Sequence, residues 1–137
     1  PGQTVLGSKE LLVEVLVPPP PANSSGHYMR FIPREEMDIA VAGVASLVEI
    51  LVETGVAARV HIALAAVAPT PVRAREVETY LEGRCISSGS VGQIGEQVAL
   101  ATRPISDVRG SAEYRKELVK VLTRRTLVKC LGSLGVD

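Results

Sequence analysis

The sequence predicts an α+β domain: a small antiparallel β-sheet of about three strands, with three helices packed on one face. Strand-like patterning precedes residue 68, helical patterning follows residue 70, and no βαβ alternation links them. A chain of 137 residues buries about 70% of its unfolded surface, enough for a core without disulfides or metal. Its 46% apolar and 22% charged residues are a globular composition.

Residues 11–17, Leu-Leu-Val-Glu-Val-Leu-Val, read as a strand by composition and length. Four prolines at 18–21 and Ala-Asn-Ser-Ser-Gly follow, which no regular element survives. The compact region is expected to start near Tyr28, which assigns the first strand to a neighbouring unit. Residues 39–53 read as a strand on Val41, Val44, Val48, Ile50 and Val52. A buried helix competes there, because the segment is apolar on both faces at first and rich in small residues. Thr54-Gly55 supplies a turn. Residues 57–67 alternate, with Val60, Ile62 and Leu64 on one face and Arg59 and His61 on the other. Thr70 caps the next helix, and Pro71 fits its first position. Ala74, Val77 and Leu81 form its apolar stripe beside Tyr80, and Gly83 closes it. Residues 90–102 make a weaker helix, since Gly92 and Gly95 each cost about 1 kcal/mol relative to alanine. After Pro104, Ser111 caps a long helix to about residue 131, with Tyr114, Leu118, Val121, Leu122 and Val128 on one side.

Fifteen basic and fifteen acidic residues balance, which argues against a general nucleic-acid binder or a membrane-surface protein. The only aromatic residues are Tyr28, Phe31, Tyr80 and Tyr114, too few for a base-stacking surface. Cys85 and Cys130 lack paired-ligand spacing for zinc or an iron–sulfur cluster, and read as reduced cytosolic thiols. The longest apolar stretch, Ile39 to Val48, contains Ser46 and is short of the about 20 residues that span a membrane. No signal peptide is legible at the amino end.

Glu35, Glu36 and Asp38 cluster before the hairpin, but neighbours in a row rarely provide the two environments that acid–base chemistry needs, so they read as a solvated turn. His61 has no visible partner, and His27 falls in the loop. No serine or cysteine carries a catalytic signature, and independent catalysis is not expected. Gly89, Gly92 and Gly95 do not make the dinucleotide fingerprint. Residues 1–102 carry a net −4 and residues 103–137 a net +4. A basic terminal helix suits an acidic partner, nucleic acid or plain solvent. Arg125 lies beside the apolar stripe of that helix and needs a partner, for which Asp107 is the candidate.

Three segments carry a resemblance: Tyr28-Met29-Arg30-Phe31-Ile32-Pro33-Arg34-Glu35-Glu36-Met37-Asp38-Ile39-Ala40-Val41, Ala63-Leu64-Ala65-Ala66-Val67-Ala68-Pro69-Thr70-Pro71-Val72-Arg73-Ala74, and Pro104-Ile105-Ser106-Asp107-Val108-Arg109-Gly110-Ser111-Ala112-Glu113-Tyr114-Arg115. With Glu10-Leu11-Leu12 and Pro18, the chain resembles the C-terminal domain of the FAD-binding medium subunit of molybdenum hydroxylases, the carbon monoxide dehydrogenase and xanthine dehydrogenase family. The resemblance implies a small antiparallel sheet followed by three helices. It implies a cytoplasmic, multi-subunit oxidoreductase in which this piece alone is not catalytic. An iron–sulfur small subunit feeds electrons to FAD, and a molybdenum-cofactor large subunit hydroxylates the substrate. The cofactors carry that chemistry while protein positions them.

The family's glycine-rich FAD loops lie upstream of this sequence. Residues 1–26 would then join the upstream FAD domain through a strand and Pro-rich linker, and 27–137 would be the C-terminal flavoprotein domain. By position, Leu12 matches an apolar residue touching the flavin nucleotide, Arg30 a basic residue contacting FAD, and Ile39 a position close to the isoalloxazine ring. Read without the family, Leu12 and Ile39 are core residues and Arg30 a surface charge. Met37 stands where xanthine dehydrogenase-like members often carry an acid, which puts NAD in doubt as the acceptor. The competing functions are a free-standing interaction module without flavin and a nucleic-acid module on residues 103–129.

Overall fold

The computed structural model describes residues 2–34 and 38–136. Four antiparallel strands, β1 (Ser24–Phe31), β2 (Ala42–Ile50), β3 (Ala57–Ala65) and β4 (Val72–Arg73), lie side by side in chain order. Helices α1 (Arg75–Leu81), α2 (Gly95–Leu100) and α3 (Ala112–Ser133) follow, with a 3-10 turn at Ser90–Gly92. The α+β class and the antiparallel sheet stand as predicted.

The strand reading of residues 39–53 prevails over the buried helix. Its burial alternates at Val44, Ser46 and Val48, and it pairs on both sides, with β1 from Ser24↔Glu49 to Phe31↔Ala42 and with β3 from Gly43↔Ala65 to Ile50↔Ala57. Val44, Ser46 and Val48 of β2 and Val60, Ile62 and Leu64 of β3 are buried on one face. Helix α3 packs there across β1 and β2, while α1 covers β3. The opposite face carries Tyr28, Arg30, Ala45, His61, Ala63 and Arg73, exposed or half-buried. Between β2 and β3, the amides of Thr54 and Gly55 both donate to the Leu51 carbonyl, which makes the expected turn.

Several elements depart from the sequence reading. Residues 11–17 form no strand: they are extended, and Leu11, Leu12, Val13, Val15, Leu16 and Val17 are 64–85% exposed. Strand composition makes a strand only when a neighbour supplies backbone partners, and no described residue does. The compact region begins at Ser24, so His27, expected in the loop, lies on β1. Thr70 and Pro71 do not start a helix. Val72 and Arg73 pair with Leu64 and Ala63 as β4, and α1 begins at Arg75 with no side-chain cap. Proline tolerates the start of an edge strand as well as a helix start. Gly83 does end the α1 region, at φ +78°.

Before Ala63 the outer edge of β3 has no strand beside it among the described residues. The α1 carboxylates take over: Glu78 accepts from the Ile62 amide at 2.7 Å and Glu82 from the Val60 amide at 3.1 Å. Charged side chains thus close this edge.

The weak helix at 90–102 shortens to Gly95–Leu100 behind the 3-10 turn. Gly95 has a packing reason, because a Cβ there would meet the Lys120 backbone Cα at 3.3 Å and its Cβ at 3.0 Å. Helix α3 begins where Ser111 accepts from the Tyr114 amide. Its buried face, however, is Arg115, Val119, Leu122, Thr123, Thr126, Leu127, Cys130 and Leu131. Tyr114, Val121 and Val128 of the expected stripe are 36–44% exposed. Polar groups on the sheet explain the rotation. Ser46 of β2 is buried and lies 2.7 Å from the Thr126 hydroxyl, and Cys130 Sγ approaches the Ser46 carbonyl at 3.4 Å. Thr126 therefore faces inward and satisfies a buried hydroxyl.

Leu127 is fully buried. Leu127→Ala is expected to cost about 2–5 kcal/mol in urea unfolding, and a loss under about 1 kcal/mol would contradict its place in the core.

Candidate functional site

Three chain segments meet at one end of the sheet: residues 38–41 before β2, 66–70 after β3, and 103–111 before α3. Arg115, in the second turn of α3, ties them together. Its Nη1 donates to the carbonyls of Val41 (2.7 Å) and Ala66 (3.1 Å), and its Nη2 donates to Asp107 Oδ1 at 2.7 Å. The side chain is only 5% exposed. Guanidinium suits this task because its rigid fork of donors reaches several acceptors at once. Ala66 sits at φ +62°, a left-handed conformation that costs about 1–3 kcal/mol for a residue with a Cβ. The bond to Arg115 holds its carbonyl there.

Asp107 also accepts from the Arg109 amide at 2.9 Å. The Arg115 guanidinium, then the Arg109 amide, hold its carboxyl below the ordinary range. This corrects the sequence reading: the partner of Asp107 is Arg115, whereas Arg125 is exposed. The signal was present, since Arg115 lies four residues after the Ser111 cap, where the helix turns back over its own start. Tyr114 meets Phe31 edge-on at 6.1 Å and 86°, fixing the end of β1 to α3. The Ser106 hydroxyl accepts from the Ala112 amide, and the Arg103 amide donates to the Val67 carbonyl.

These loops enclose a cleft of about 360 Å³ whose lining includes Ile39, Ala66, Pro69, Arg103 and Arg109. Ile39 stands on its rim, 63% exposed. Arg30 is exposed on the open sheet face, opposite Gly43 at this same end of the sheet. Tyr28 lies over Gly43, where a Cβ would meet its hydroxyl at 3.0 Å. The fold therefore brings Arg30 and Ile39 to one end. Leu12 does not join them, because it belongs to the exposed segment 11–17. Neither Leu12 nor Ile39 is a core residue. Glu35, Glu36 and Met37 lie outside the described residues.

A second polar cluster sits on β3, β4 and α1. Arg73 Nε and Nη2 donate to the two carboxylate oxygens of Glu78 at 2.6 and 2.8 Å. Arg73 Nη2 also donates to His61 Nδ1 at 2.6 Å, which gives His61 the partner the sequence did not reveal. Burial pushes the Glu78 carboxyl up, but the Arg73 guanidinium and the Ile62 amide outweigh it and hold it below its ordinary value. The cysteines are both free, and burial pushes the Cys130 thiol up. Among the described residues no three His, Cys, Asp or Glu side chains could hold a metal ion, and no helix is long and apolar enough to cross a membrane.

The domain is thus a four-stranded sheet with helices on one face, an open opposite face and a cleft at one end. Residues 27–130 match the CO dehydrogenase flavoprotein C-terminal domain. The chain belongs to that family. It is 34% identical over 122 residues to the 6-hydroxypseudooxynicotine dehydrogenase complex subunit alpha of Paenarthrobacter nicotinovorans, covering 89% of this chain and 40% of that one. It is 26% identical over 136 residues to the xanthine dehydrogenase FAD-binding subunit of Escherichia coli O157:H7, covering 98% and 46%. Its fold is similar to that of a chain of carbon monoxide dehydrogenase from Hydrogenophaga pseudoflava, with a TM-score of 0.76 and 26% identity over 86% of this chain and 40% of that one. The chain thus spans less than half the length of these relatives.

Arg115→Ala should destabilise the domain by about 1–3 kcal/mol, because it leaves the buried Val41 carbonyl without its donor. Arg115→Lys should recover less than half of that in chemical unfolding, and full recovery would reject the fork. Glu78 has a lowered folded pKa, so its contribution is present above the unfolded value and lost as pH falls through the folded one. As pH falls below the ordinary glutamate range, the parent should lose stability more steeply than Glu78→Gln. Parallel pH profiles would contradict this.

Proposed function

We propose that this chain is the C-terminal domain of the FAD-binding subunit of a molybdenum-containing hydroxylase or dehydrogenase. In this reading residues 1–26 join it to an upstream FAD domain, and residues 27–137 help enclose the flavin and dock the subunit. The observation that carries the reading is the family match over residues 27–130, joined to a cleft that is open on one side. The exposed apolar run from Leu11 to Val17 supports it independently. Seven residues of strand composition left in solvent are costly, and an upstream sheet would supply their partners.

The residues at the sheet end suit a flavin held from one side. Arg30 offers an exposed cation for a phosphate or ring edge, and Ile39 an exposed aliphatic surface for a ring face. Leu12 would reach the nucleotide only once its segment docks on the upstream domain. FAD, when bound, supplies the electron transfer. Arg115 sets the loop that presents Ile39, through the Val41 carbonyl, and keeps water from the base of the cleft. Iron–sulfur clusters and the molybdenum cofactor belong to small and large partner subunits, the complex is cytoplasmic, and Met37 disfavours NAD as acceptor. The free-standing interaction module has no observation of its own to favour it, since it leaves residues 11–17 unexplained.

The isolated chain should not retain FAD, whereas the complete protein should carry it. Arg30→Ala in the complete protein should weaken FAD about tenfold, the scale of one charge-assisted hydrogen bond. Flavin at one equivalent on the isolated chain, or unchanged affinity in the variant, would reject these assignments.

A further inference from the structure

The two edges of the sheet are treated differently. Where the short β4 leaves β3 unpaired, the edge is closed by Glu78 and Glu82. At the other edge β1 pairs only with β2, and among the described residues no strand lies on its outer side. Alongside β1 runs a groove of about 560 Å³, bounded by Met29, Val121, Arg124, Arg125, Val128 and Lys129. Its floor is apolar and accessible, since Val121 and Val128 are 44% and 36% exposed. Its rim carries three cations and no acid.

Among the described residues some cations of this chain are paired and others, these three included, are not. Arg59, Arg73, Arg109, Arg115 and Lys120 all meet carboxylates. No ion pair among the described residues involves Arg124, Arg125 or Lys129. The helix dipole does not account for all of them. It favours cations only within the last turn, and Arg124 and Arg125 lie more than two turns before Ser133, where α3 ends.

We propose that this groove docks an extended acidic segment of a partner protein, with an apolar side chain seated over Met29, Val121 and Val128 and carboxylates meeting Arg124, Arg125 and Lys129. Charge complementarity selects the acid, and the apolar floor selects a peptide. Nucleic acid is disfavoured because the groove has no aromatic ring on which a base could stack. An edge strand beside the groove offers backbone partners to an extended chain. That the partner is another subunit of the oxidoreductase rests on the proposed function.

The test uses the complete flavoprotein subunit with its partner subunits. Arg125→Glu and Val128→Asp alter the groove, and Lys116→Glu, on an exposed part of α3 outside it, is the charge-matched control. Dissociation constants are measured by sedimentation across a salt series, with flavin content and thermal midpoint recorded for each protein. Both groove variants should weaken assembly about tenfold or more, and Arg125→Glu should also flatten the salt dependence. The control should assemble like the parent, and flavin content and midpoint should not move. A parent that carries flavin and assembles, with both groove variants assembling equally well, overturns the groove alone. A parent with neither flavin nor partners overturns the functional reading and the groove with it. Arg125-dependent binding of a single-stranded oligonucleotide, with assembly unaffected, also overturns the proposal.

Discussion

One buried arginine holds the working end of this domain together. Arg115 draws donors from a single side chain to the Val41 carbonyl, the Ala66 carbonyl and the Asp107 carboxylate. These acceptors come from three loops that are far apart in sequence and share no strand pairing with one another at this point. A buried guanidinium is costly when alone and tolerable when its hydrogen bonds are made. Its Nε, buried without a partner, is the residual cost of the arrangement. The left-handed Ala66 and the edge-on pair of Phe31 and Tyr114 belong to the same construction. The loops that frame the cleft are thereby positioned by the rigid helix instead of by their own sequence.

The sheet has one apolar face and one open face, and the helices use only the first. The inner face is not wholly apolar. Ser46, Thr126 and Cys130 form a buried polar contact between β2 and α3. Directional contacts of this kind fix how the helix is rotated on the sheet, where apolar packing alone would accept several rotations. The consequence reaches the surface, because the same rotation turns Val121 and Val128 outward beside the unpaired edge of β1. Interior chemistry and surface chemistry on α3 are one choice.

Much of the fold was legible because its signals are local. The alternation of Val60, Ile62 and Leu64 defined a strand face, Thr54-Gly55 a turn, and Ser111 a helix start. What escaped depended on contacts between distant residues. The polar partner of Ser46 lies on α3, so hydrophobicity alone chose the wrong stripe and placed Arg125, not Arg115, near Asp107. Residues 11–17 have the composition of a strand, but a strand needs a partner that these residues do not find. Pro71 suits both a helix start and an edge strand, and pairing with β3 decides between them. Arg30 and Ile39 were reached through a family resemblance; neither composition nor periodicity marks them, since both are exposed and a binding surface has no period.

The interior of this domain is finished, while its cleft, its open sheet face and its amino-terminal segment remain accessible. The claim that Arg115 sets the geometry of the cleft is tested most directly by amide hydrogen exchange on Arg115→Met in the complete protein. The amide of Val41, bonded to Phe31, and that of Arg103, bonded to Val67, should lose protection, while amides in the middle of β2 and β3 keep theirs. Parent-like protection at Val41 and Arg103 would mean that the loops hold their shape without the arginine, and the account would be wrong.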